Sequence, residues 1–133
     1  MRTLVVIGGM GNADVYTKRG KTKIIREAAA LKKKLSANQR VRIFTSPKLI
    51  ERTMAICFGS VFHSKVEDTY IFDREGNAEG CSAEVEQFVA SLKDSCDVLI
   101  MVSGTGVTLG AQLLDSLGLS EKIRTKNGMR VFS

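Results

Sequence analysis

This chain of 133 residues has no tryptophan, one proline, one histidine and three cysteines. Each scarcity removes a class of explanation. Cys57, Cys81 and Cys96 share no metal-ligand spacing, and His63 is the only imidazole, so no zinc set can be assembled and no metal site is expected. An odd number of thiols without a framework suits three reduced cysteines in a cytoplasmic protein, with Cys57 packed inside a helix. Long hydrophobic runs are also missing. None exceeds five residues, as in Val98 to Val102, against the roughly 20 a membrane-crossing helix needs. The apolar stretch behind Arg2 stops at Gly8, short of an export signal, so neither a leader nor a membrane partner is expected.

What is present fits one globular domain over residues 1–133. Apolar residues make up 44% and charged residues 26%, and no repeat or low-complexity linker divides the chain. The net charge of +6 is unevenly spread. From Lys18 to Arg52 twelve Lys/Arg face two acids, a net of +10; from Val61 to Asp97 three face nine, a net of −6. Such a split suits an anion-binding face or association between copies of the chain. The plainer account is a solvated helix face, because Lys32, Lys33 and Lys34 must point outward from any amphipathic helix there. The basic residues are not interleaved with aromatics, which argues against nucleic acid as a partner.

Strand and helix patterns alternate. Thr3 to Ile7 reads as a buried strand closed by Gly8-Gly9-Met10-Gly11. From Thr22, Ile24, Ile25, Ala28, Leu31 and Leu35 form a helical stripe. Val41 to Thr45 is a second strand. Ser46-Pro47 then starts a helix, Ser as N-cap and Pro as first residue, that runs to near Gly59. Thr69 to Phe72 reads as a short strand, and Ser82 caps a helix through Val85, Phe88, Val89 and Leu92. Val98 to Val102 is the most buried strand, broken by Gly104-Thr105-Gly106. A last helix spans Thr108 to Leu117, and Met129 to Phe132 is an edge strand. This order predicts an α/β fold, with ligands beyond the carboxyl ends of the strands. If the first strand and the Val98 strand are neighbours, their glycine loops line one pocket.

Familiar nucleotide signatures fail there. Gly20-Lys21-Thr22 ends like a P-loop, but Val15 stands where its first glycine belongs. Asp14 replaces the third glycine of a dinucleotide fingerprint begun at Gly9, and too little chain follows Gly104-x-Gly106-x-x-x-Gly110 to complete one. No cofactor is expected. Ser103 lacks the frame of a nucleophile elbow.

Four segments in register resemble the histidine phosphatase superfamily, and in particular its short phosphohistidine-phosphatase branch. Gly8-Gly9-Met10 stands for the R-H-G turn after the first strand, and Tyr16-Thr17-Lys18-Arg19-Gly20 for L-T-x-x-G. Thr45-Ser46-Pro47 through Ala55 stands for S-S-P-x-x-R-A-x-Q-T-A, and Val102-Ser103-Gly104-Thr105 for V-S-H-G. The resemblance implies a three-layer α/β/α fold with a mostly parallel central sheet, phosphoglycerate mutase-like. It also implies that the chemistry is gone. Gly8 replaces the first arginine, Gly9 the nucleophilic histidine, Ile50 the second arginine and Gly104 the second histidine. Arg52 does not restore the arginine, since two residues along a helix turn a side chain by about 200°.

No catalytic residue is therefore assigned, and the family's phosphatase activity is not expected. The ligand-binding set expected is Gly8, Gly9, Gly11, Asn12, Lys18, Ser103, Gly104 and Thr105, with glycine-rich turns offering N–H groups to an anion. The partner expected is an anionic small molecule or a phosphoprotein. Three other accounts stand beside this one. The glycines serve only the backbone turns; Ser103 and Thr105 run a replaced chemistry; or the charged segments make the chain a protein-interaction module or homo-oligomer.

Overall fold

The computed structural model describes residues 1–8, 14–73, 83–104, 107–126 and 128–133. Two strands in it are apolar almost throughout. Thr3–Gly8 (β1) is buried except at Gly8, and Val98–Ser103 (β4) is buried at every residue. Such runs belong to parallel strands covered on both faces, and the core divides accordingly. Val5 and Ile7 face the helices Lys18–Lys34 (α1) and Leu49–Phe62 (α2), while Leu4 and Val6 face the side of Ala83–Ser91 (α3) and Ala111–Leu117 (α4). Three α/β/α layers result.

Val41–Thr45 (β2) and Val66–Asp68 (β3) complete the parallel part of the sheet, and Glu121–Arg124 (β5) and Met129–Phe132 (β6) close the other side. The order is β3-β2-β4-β1-β6-β5. β1, β2, β3 and β4 are parallel, and β6 is antiparallel to both β1 and β5. The mostly parallel sheet expected from the strand and helix alternation is present. Among the described residues no helix is long and apolar enough to cross a membrane.

Several boundaries differ from expectation, each for a physical reason. α1 begins at Lys18 rather than Thr22, because the Thr17 hydroxyl caps it, accepting from Gly20 N–H at 3.0 Å. α2 begins at Leu49, with Lys48 in the cap position; the Ser46 hydroxyl accepts from Lys48 N–H, one residue short of the helix, while the Ser46 N–H donates to the Val102 carbonyl at 3.0 Å and prolongs the β2–β4 pairing. It ends at Phe62, with His63 left-handed at φ 52. The short strand is Val66–Asp68 rather than Thr69–Phe72. Glu67 is clamped there by Arg42 of β2 at 2.8 and 3.1 Å, and Ile71–Asp73 forms a 3₁₀ turn. α4 begins at Ala111 rather than Thr108. β6 is an inner strand, not an edge, because β5 pairs outside it. The capping role expected of Ser82 lies outside the described residues.

Candidate functional site

β1 and β4 are neighbours, and Gly8 stands directly opposite Ser103. After β1 the chain passes to α1 on one face; after β4 it passes to α4 on the other. Adjacent parallel strands whose connections part in this way leave a crevice at their carboxyl ends. The glycine loops expected to line one pocket there lie outside the described residues, apart from Gly8 and Gly104. Of the expected ligand set, Gly8, Ser103 and Gly104 come together here. Lys18 is exposed in the first turn of α1. Gly9, Gly11, Asn12 and Thr105 lie outside the described residues. Gly8 does not offer its amide to a ligand, because that N–H donates to the Gly128 carbonyl at 3.0 Å.

Polar burial concentrates at this end of the sheet. Among the described residues the buried polar or charged side chains are Thr3, Thr45, Ser46, Glu51 and Ser103, and all but Thr3 gather here. Burying such groups costs free energy, so their grouping marks a place where the core serves something besides packing. Ser46 accepts from the Lys48 N–H at 3.4 Å, and the Thr45 hydroxyl donates to the Ser46 carbonyl at 2.8 Å.

Glu51 is the residue that sequence reasoning missed. It is the third residue of α2 and only 8% exposed, and a Cβ added to Gly104 would lie 2.6 Å from its Oε1. Ile50, at the position aligned with the second arginine, is instead 47% exposed. Arg52 turns away as expected, pairing with Asp68 at 3.5 Å. The first turn of α2 therefore presents an acid to the crevice and an aliphatic side chain to solvent. The signal available in the sequence was an acid a few residues beyond a strand end, in the first turn of a helix.

No described group activates a nucleophile here. His63 is exposed at the far end of α2, about 20 Å from its start at 1.5 Å per residue. Burial pushes the Cys57 and Cys96 thiols above their ordinary values, which keeps them protonated and inert. Cys81 lies outside the described residues. Among those described, no cluster of three His, Cys, Asp or Glu could hold a metal ion.

No protein-family model matches the chain, and no curated protein matches it. A solved structure is similar. It is the crystal structure of a phosphoglycerate mutase from Plasmodium falciparum, 10% identical, covering 88% of this chain and 67% of the mutase, with a TM-score of 0.47. At the crevice itself the buried polar side chains are hydroxyls and one carboxyl. They can orient a ligand by hydrogen bonds.

Proposed function

We propose that this chain is a catalytically degenerate, histidine-phosphatase-like protein that binds a small phosphorylated or nucleotide ligand at the carboxyl end of its sheet without turning it over. The observation that carries the absence of turnover is the Glu51 carboxyl packed against Gly104; the ligand class follows from the resemblance. Phosphoryl transfer depends on a positioned nucleophile and on cations around the transferred group. At the four matching positions the chain holds Gly8, Gly9, Ile50 and Gly104, and it adds an acid among them. A carboxylate beside a phosphoryl group is repulsive. Because members of a catalytic unit act together, losing all of them removes the activity rather than thinning it.

The test pairs an assay with a binding panel. Hydrolysis of p-nitrophenyl phosphate and of a phosphohistidine peptide should stay at the buffer background. Thermal shift with phosphate, vanadate, ATP, NAD and a phosphohistidine mimic should give at least one hit, worth about 2.7 kcal/mol at a hundredfold excess over Kd. Saturable turnover that Ser103→Ala lowers without unfolding the protein would sink the proposal in favour of replaced chemistry.

Association between copies is a second reading, favoured by the separation of charge across the sheet. α1 carries eight Lys/Arg against Glu27 on one face, whereas α3 on the other has Glu84 and Glu86 and no cation.

A further inference from the structure

Beside Gly8, on the α3–α4 face of the sheet, a cavity of about 270 Å³ opens between the end of β1, the segment after β4 and the β5–β6 hairpin. Its lining includes Thr108, Arg124, Thr125, Lys126 and Arg130. Arg124 and Arg130 are directly opposed across the hairpin. Like charges so placed repel, and Glu121 holds them together. Its Oε1 accepts from Arg124 Nε at 2.6 Å, while its Oε2 accepts from Arg124 at 3.0 Å and from Arg130 at 2.8 Å. Three cationic side chains against one carboxylate leave a net charge of +2 at the cavity.

Two further observations indicate that these cations are not fully used. The Arg130 guanidinium is set over the Phe132 ring at 5.1 Å, which fixes its plane, yet its Nε is buried without a hydrogen-bond partner. A buried donor left unpaired is costly, so Glu121 alone does not satisfy this guanidinium. Lys126 is exposed at the rim, with its charge directed at no described carboxylate.

We propose that this cleft, lined by Arg124, Lys126 and Arg130, binds a small multiply charged oxyanion such as a phosphorylated metabolite. The inference deepens the binding role proposed above and rests on it for the ligand class. It moves the anion from the glycine turns, where Glu51 opposes it, to the other side of β1. Gly8 borders both places. Planar guanidinium groups suit bidentate contacts to such an oxyanion, and Glu121 acts as the internal anion it competes with.

Calorimetric titration of the whole protein with inorganic pyrophosphate, and separately with phosphate, tests this at low and moderate salt. Pyrophosphate should bind more tightly than phosphate and weaken as salt rises. Lys126→Glu, at an exposed position that leaves the fold intact, should weaken binding about tenfold or more, and Lys126→Arg should restore it. Glu121→Gln should tighten binding by releasing both arginine forks. No binding by the wild type, or binding indifferent to Lys126→Glu and Glu121→Gln, overturns the cleft. Binding lost only in Gly104→Asp also overturns the cleft but leaves the binding role standing. Binding that follows Lys126 together with turnover of the anion keeps the cleft and overturns the non-catalytic role.

Discussion

Two glycines at equivalent-looking places in the sequence answer to different constraints. At Gly20, inside α1, a Cβ would lie 1.7 Å from the Asp14 carbonyl oxygen, within the turn that Thr17 caps. Glycine to alanine in a helix interior normally stabilises by about 1 kcal/mol. Here the sign reverses. Gly20→Ala should cost about 1–3 kcal/mol, measured by urea unfolding, because the added methyl must break the turn or the cap. Gly104 is the control. Its nearest obstacle is the end of the Glu51 side chain, which can swing aside, so Gly104→Ala should cost less than Gly20→Ala. The Thr17-to-Gly20 spacing was visible in the sequence as part of a family resemblance. Its local cause, a cap and a close approach, is structural. Glu51 was not visible as a site residue, because a helix start displaced along the chain rotates every later side chain by about 100° per residue.

The β5–β6 hairpin is the element least apparent in the sequence. Three of the four residues of β5 are charged, which hides a strand behind the composition of a loop. Pairing with β6 and the Glu121 bridge between two arginines make it one. Those arginines, Arg124 first and Arg130 second, pull the Glu121 carboxyl from an ordinary 4.5 down to about 2. A depressed carboxyl stabilises the fold above its unfolded value, because there the unfolded chain holds no extra proton. That contribution declines as pH falls through 4.5 and is gone below about 2. Glu121→Gln should therefore lower the melting temperature near pH 7, and the gap to wild type should close as the pH approaches 2. A gap independent of pH would mean that the hairpin is held by packing alone.

At the scale of the molecule, charge blocks along the chain become faces of a layered structure. The basic α1 lies on one side of the sheet and the acidic α3 on the other. Contact between unlike faces of successive copies is head-to-tail, so it extends rather than closing into a pair. Sedimentation at low salt should show larger, concentration-dependent species that fall to the monomer as salt approaches 0.15 M, where the Debye length is about 8 Å. A monomer throughout would remove association from the account.

Periodicity and punctuation in the sequence were enough for the alternating elements and the doubly covered central strands, because those features depend on near neighbours in the chain. That residues 8, 9, 50 and 104 carry neither an imidazole nor a guanidinium was equally plain, since residue type needs no coordinates. Long-range pairing settled the remainder. Placing β4 between β1 and β2 joined residues 8 and 103, tied the Ser46 N–H to the Val102 carbonyl and set Glu51 beside Gly104. The same sheet set β5 beside β6 and so made a basic cleft from Arg124, Lys126 and Arg130, residues that in sequence are only a charged tail. Side-chain direction in a strand or a first helical turn changes with a shift of one residue, and only packing against distant segments holds that register.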